Sequence, residues 1–335
     1  MVKTTVVGSY PIPSWLAGNT SRLVLRDAIM VVLKTQELAG LDVIADGELN
    51  RFDPAHPDAN GMIDYFVRRM EGIDGAFTRA DLEEFRRDSG LSYRSAPSGM
   101  VRGPVGEGTL NLPADFDFVR PLTRAPLKFT CTGPHMLAKV LTDRHYHDRA
   151  RLAMNIARVL RAQLERVPAD VVQLDEANIS GHPEDTPWAA EAINHVLDGI
   201  ATEKAVHVCF GNYGGRSIQK GTWAALAPFF NVVRADYFVL EFARRGYGEL
   251  EALRVVDHSK AFGIGVVDIK DNETESPETI AGRIEHAAHV LGEQRIRYVH
   301  PDCGFWMLSR GVADRKMRAL VAGRDLFSAA APRRK

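Results

Sequence analysis

The chain has 335 residues, 45% hydrophobic and 25% charged, enough for one large domain or two ordinary ones around a substantial buried core. Lys and Arg total 42 against 43 Asp and Glu, and no basic block is interleaved with aromatics, which excludes the charge pattern of a nucleic-acid partner. No run of about 18 apolar residues occurs, so no membrane span is expected, and the opening MVKTTVVGSYPIPSW lacks the apolar core of a secretory signal.

In chain order, TTVVGSYP (4–11) reads as a first strand. It is followed by SRLVLRDAIMVVLKTQELAG, whose apolar residues recur at helical spacing and stop at Gly40, a C-cap. LDVIADGE (41–48) is the second strand. A long excursion, about 49–126, then carries a surface helix in TRADLEEFRRDSG and a further strand or hairpin in VRGPVGEGTLNL (101–112). LKFTCTGP (127–134) resumes the strands, and the segment from Pro134 to Val167 reads as two helices. DVVQLDEAN (170–178) precedes the helix PWAAEAINHVLDGI, and AVHVCFGN (205–212), DYFVLEFA (236–243) and GIGVVDIK (263–270) are strands. SPETIAGRIEHAAHVLG opens with proline in its first helical turn, and RYVHPDCG (297–304) is the last strand.

Near-continuous apolar strands are buried on both faces, as in parallel sheets. Eight of them, most followed by a helix, predict an α/β fold of the (β/α)₈ TIM-barrel type, one domain over residues 1–335 with the excursion between its second and third strands. Cys131, Cys209 and Cys303 are odd in number and far apart, which is no disulfide framework and suits a reducing cytoplasm.

In such a barrel, chemistry sits at the C-terminal ends of the strands. Those ends are polar here: Ser9, Asp46 and Glu48, Asp175 and Glu176, His207 and Cys209, Glu241, Asp268 and Lys270, Asp302 and Cys303. His207 and Cys209 are two apart and share one face of their strand. They are either a satisfied core histidine and a small buried hydrophobe or half of a metal site. Cys303 and Glu241, on later strand ends, complete a set that favours zinc. Cys131 has no partner at ligand spacing and reads as packing. Glu48 and Asp175 either hold the ammonium of an amino-acid thiol or form salt bridges in the barrel mouth, and backbone near Gly8 and Ser9 is placed for its carboxylate.

Taken together, TTVVGSYP, DVIADGELNRFD, VVQLDEANISG, HVC, FVLE, GVVDIK and HPDCGF resemble, in order and over nearly the whole chain, the catalytic C-terminal barrel of the cobalamin-independent methionine synthase family. The resemblance implies a zinc that activates homocysteine for methyl transfer. It implies His207, Cys209, Glu241 and Cys303 as zinc ligands, Glu48 and Asp175 on the homocysteine amine, and Gly8 and Ser9 against its carboxylate. Where the family has a histidine that protonates the folate, this chain has Lys270 in DIKDNETESP, so Asp175 and Lys270 are the catalytic candidates. Plant and bacterial members carry an additional N-terminal barrel with no counterpart in these residues. The donor is then a methyl-folate or a corrinoid-linked methyl group. Single-barrel relatives also include epoxyalkane:coenzyme M transferase, whose sulfonate-bearing thiol calls for a basic anchor such as Arg51, Lys270, Arg244 or Arg245. The last two also read as solvated surface arginines. Trp188, Tyr213, Trp223, Phe305 and Trp306 are candidates for a stacking surface or for core.

Overall fold

The computed structural model describes residues 2–19, 21–53, 60–91, 93–212 and 216–330. Eight parallel strands form one sheet: β1 (Lys3–Thr4), β2 (Ile44–Ala45), β3 (Leu127–Thr132), β4 (Val171–Asp175), β5 (Glu203–Val208), β6 (Tyr237–Leu240), β7 (Ala261–Val267) and β8 (Ile296–Pro301). Each pairs with its neighbour in sequence, and β8 returns to pair with β1. A single parallel bridge, Thr5 to Val43, joins β1 to β2 and closes the barrel.

The predicted strands are all present in the predicted order, but β1 and β2 are shorter than their apolar runs suggested. At this seam the Asp42 carboxylate, not a backbone carbonyl, accepts the Thr4 N–H at 2.7 Å, and the Thr5 hydroxyl donates to Val43 O at 2.9 Å. Side chains therefore replace part of the ladder.

The strands alternate between two apolar environments, as a period of two requires. Val172, Leu174, Val206, Val208, Phe238 and Leu240 face the large core beneath the helices. Val171, Ala205, Tyr237, Val239 and Tyr298, with Val7 and Val43, form a separate small cluster inside the barrel. Two residues further on, the same inward face carries Gln173 and Asp175, His207, Glu241 and His300. The barrel interior thus passes from an apolar floor to a polar mouth.

The outer layer includes α1 (Arg22–Ala39), α2 (Leu112–Val119), α3 (Arg149–Leu164), α4 (Thr186–Leu197), α5 (Ala227–Val232), α6 (Pro277–Leu291) and α7 (Arg310–Ala329). Between β6 and β7 a 3₁₀ helix, Tyr247–Val255, takes the helical place. Ser21 caps α1 and Gly40 ends it at φ 85°, the left-handed conformation expected of a C-cap glycine. Ser276 caps α6 with Pro277 in its first turn. In the excursion, the strand Met100–Gly106 pairs with Glu71–Asp74 and Thr142–Asp143, and the helix Arg79–Asp88 starts at a capping box of Thr78 and Asp81. Among the described residues no helix is long and apolar enough to cross a membrane.

Where α6 meets α7, a Cβ on Gly323 would lie 2.5 Å from Ile280 Cβ and 3.0 Å from Pro277 O. The close approach of these helices depends on that missing atom. Gly323→Ala is expected to destabilise the fold by about 1–3 kcal/mol despite its gain in helix propensity, measured by urea unfolding.

Candidate metal centre

The site begins with register. Asp175 at the end of β4 pairs directly with His207 on β5, so their side chains stand together on the inward face. Asp175 Oδ1 lies 3.1 Å from His207 Nδ1 and accepts from Gln173 Nε2 at 2.8 Å. His207 is 2% exposed, and its Nε2 is buried with no hydrogen-bond partner among the described residues.

One ligand atom each of His207, Cys209 and Cys303 lies within 4.8 Å of the other two. Cys209 follows β5 and Cys303 follows β8, and both are free thiols. Burial alone would depress the His207 imidazole, but Cys209 and Asp175 outweigh it and lift the group to about 10. Cys303 and then burial push the Cys209 thiol well above its ordinary value. An imidazole with an unpartnered buried nitrogen, clustered with two sulfurs, fits a borderline-soft divalent cation, because a cation satisfies the nitrogen and favours both thiolates.

Glu241, the other predicted ligand, lies outside that trio. It is fully buried; Oε1 accepts the Phe210 N–H at 2.9 Å and Oε2 faces Lys270 Nζ at 3.4 Å. Lys270 also donates to Ser217 Oγ at 2.8 Å, and its side chain is 3% exposed. The lysine is therefore turned inward onto a carboxylate.

The predicted substrate residues line the other side of the mouth. Glu48 sits at φ 60°, a left-handed backbone uncommon for a non-glycine residue. Its Oε1 accepts from Thr130 Oγ1 at 2.7 Å, and its Oε2 lies 3.3 Å from Arg51. Burial raises the Glu48 carboxyl, Arg51 pulls it back, and Asp175 pushes it up again, for a net rise. An added Cβ at Gly8 would overlap Glu48 Oε1, so the glycine is what lets the first strand end pass this carboxylate. Ser9 O accepts the Phe305 N–H at 2.8 Å, and Ser9 Oγ packs where a Cβ on Gly304 would stand. Gly8 and Ser9 thus bring β1 alongside both Glu48 and the Cys303 loop.

Several readings change in three dimensions. Arg51 is buried, bonded to Thr130 and paired with Glu48, so it is not an open anion anchor. Arg245 is not a solvated surface arginine: its guanidinium stacks 3.6 Å from the centroid of Phe210 and bonds Glu249. Arg244 is exposed and pairs with Asp268. Trp223 and Phe305 are core, Trp188 packs at a tilt against His135, and Trp306 is 48% exposed. Tyr213 lies outside the described residues. Cys131 is fully buried, as packing requires.

Asp302 had been visible only as a rim acid. Its Oδ1 accepts from Phe242 N and Ala243 N at 2.9 and 2.8 Å, and Oδ2 from Arg244 N at 2.7 Å. It fastens the loop that follows Glu241. Burial and then Glu241 push its carboxyl up to about 7, against the pull of those amides.

A family model described as the catalytic domain of cobalamin-independent synthase matches residues 2–323. A methionine synthase of Thermococcus kodakarensis is 28% identical over 344 residues, covering 97% of this chain and 93% of its own. One from Saccharolobus solfataricus is 28% identical over 341 residues, covering 96% and 94%. Among solved structures, a B12-independent methionine synthase from Shewanella sp. W3-18-1, in complex with selenomethionine, matches at TM-score 0.83 and 23% identity over 98% of each chain. A putative vitamin-B12 independent methionine synthase from Listeria monocytogenes matches at TM-score 0.72 and 20% identity, over 97% of this chain and 99% of its own. At these identities the two structures establish the fold.

Asp302→Ala would strip three backbone amides of their acceptor and is expected to cost about 3 kcal/mol. Hydrogen exchange should report it locally, as faster exchange at Phe242, Ala243 and Arg244.

Proposed function

Since the chain belongs to the family of cobalamin-independent synthase catalytic domains and is a methyltransferase, we propose that it methylates the thiol of homocysteine to form methionine, with zinc as its metal. The observation that carries this reading is the joint arrangement at one barrel mouth: a buried imidazole nitrogen and two sulfurs next to two carboxylates, Glu48 and Asp175, the second of which pushes the Glu48 carboxyl upward. The first set suits a soft cation and a sulfur substrate, and the second suits an ammonium.

In this reading His207, Cys209 and Cys303 hold the zinc, and Glu241 is the fourth ligand in reserve. When bound, the zinc lowers the pKa of a substrate thiol so that the thiolate is available at neutral pH. Glu48 and the second oxygen of Asp175 hold the substrate ammonium; among the described residues no hydrogen bond reaches Asp175 Oδ2. Backbone at Gly8 and Ser9 lies against the substrate carboxylate. The thiolate sulfur attacks the donor methyl carbon. An S–C bond forms as the methyl–donor bond breaks, and the donor leaves with that electron pair. The donor is of the methyl-folate or corrinoid-linked class. A sulfonate-bearing thiol fits less well, because Arg51, Lys270, Arg244 and Arg245 are each engaged by a carboxylate. Three free cysteines with no disulfide framework suit a reducing compartment such as the cytoplasm.

The direct test is zinc-edge X-ray absorption with and without L-homocysteine. One added sulfur neighbour is expected, and a spectrum that homocysteine leaves unchanged would overturn the substrate. Cys209→Ser and Cys303→Ser should each lose most of the zinc.

Lys270 acts here as a positioning residue that keeps the Glu241 carboxylate off the ligand trio. Lys270→Met leaves a buried carboxylate without its cation. Zinc should then be held several-fold more tightly in chelator competition, and the gain should vanish in the Lys270→Met, Glu241→Gln double variant.

A further inference from the structure

Behind the ligand trio lies a chain of buried polar groups that ends on Asp175 and His207. Lys128, on β3, is 2% exposed and donates to Val6 O at 2.8 Å and to Gln173 Oε1 at 2.9 Å. Gln173, on β4, is fully buried and donates through Nε2 to Val7 O at 2.9 Å and to Asp175 Oδ1 at 2.8 Å. Asp175 Oδ1 then faces His207 Nδ1 at 3.1 Å.

The polarity of this chain is fixed at its Val7 end. A lysine nitrogen offers donors to the amide oxygen, and a backbone carbonyl only accepts from the amide nitrogen. The Gln173 amide therefore has one satisfactory orientation, with its N–H groups toward Val7 and Asp175. A turned amide would set oxygen against oxygen at Val7. With Asp175 Oδ1 thus held as an acceptor, His207 Nδ1 must carry a proton, whatever the charge on the ring. The atom left for another partner is Nε2, the buried nitrogen without a bond.

We propose that Gln173, anchored by Lys128, is a positioning residue that commits one Asp175 oxygen to His207 Nδ1–H, so that Nε2 is the ligating atom and the other Asp175 oxygen is left for substrate. This rests on the zinc-centre reading above. An outer partner that orients a metal-binding histidine is worth roughly 10–100-fold in affinity. Volume alone does not explain the pair, since methionines would fill the same space without burying an amine and an amide.

The test compares wild type with Gln173→Met and Gln173→Glu. Gln173→Glu keeps a bond to Lys128 but has no donor for Asp175, so it separates anchoring from polarity. In the zinc-loaded wild type, ¹⁵N-resolved spectra of His207 should show a proton on Nδ1. Both variants should bind zinc about tenfold more weakly in chelator competition and raise the KM for homocysteine. The double variant Lys128→Met, Gln173→Met avoids stranding the lysine; it should fold and show the same weak zinc binding. Wild-type zinc affinity in folded Gln173→Met and Gln173→Glu would overturn the proposal while leaving the zinc centre standing. So would a His207 ligating through Nδ1. A wild type that takes up no zinc would overturn the site itself.

Discussion

The pairing of Asp175 with His207 across the β4–β5 ladder is the constraint on which the mouth of this barrel depends. A shift of one residue would turn Asp175 and Gln173 outward into the helix layer and bring Leu174 and Val172 inward. The register is held because Val172, Leu174, Val206 and Val208 fill the outward face of β4 and β5 beneath the helices, while polar groups gather on the inward face above its apolar floor. The same alternation that buries the core therefore delivers the polar groups, in order, to the top. Function and packing are set by one period-two pattern, and the inward face keeps its acids and imidazole because the outward face leaves no choice.

Much of this was legible beforehand. Strands buried on both faces announce themselves as apolar runs, and the polar residue that ends each run marks the rim. His207 and Cys209 share a face by spacing alone, so half of the trio could be read locally. Cys303 could be added because strands that wrap around a barrel let their ends converge, and its sulfur does cluster with His207 and Cys209. The C-cap at Gly40 and the proline-led helix start at Ser276 and Pro277 were equally local and stand as read.

What was not legible depends on contacts that spacing does not encode. Lys128 and Gln173 are single polar residues inside runs that otherwise read as apolar strand, and only the register shows that both point inward and meet. Asp302 binds amides some sixty positions earlier in the chain. Arg245 reads as surface until Phe210 is seen beneath it. Strand length at the seam also escaped the pattern, because the Asp42 carboxylate takes a hydrogen bond that backbone makes elsewhere. In each case a side chain satisfies a partner distant in sequence.

Charge gives the site its logic. Asp46, Glu48, Asp175, Glu241 and Asp302 converge on the mouth with Cys209 and Cys303, and the resident cations facing them are Arg51 and Lys270. Buried carboxylates are costly unless paired or bonded to amides. Asp302 is answered by three amides, Glu48 by Arg51 and Thr130, and Glu241 by Lys270 and one amide. Among the described residues no Lys or Arg forms an ion pair with Asp175, and Glu48 has Arg51 alone. A divalent ion among the sulfurs and an ammonium between the carboxylates would supply the missing charge at the two places where it is missing. Metal and substrate would then each relieve part of the same electrostatic cost, and the ligand trio and the acid pair, adjacent through Asp175, would reinforce each other's occupancy.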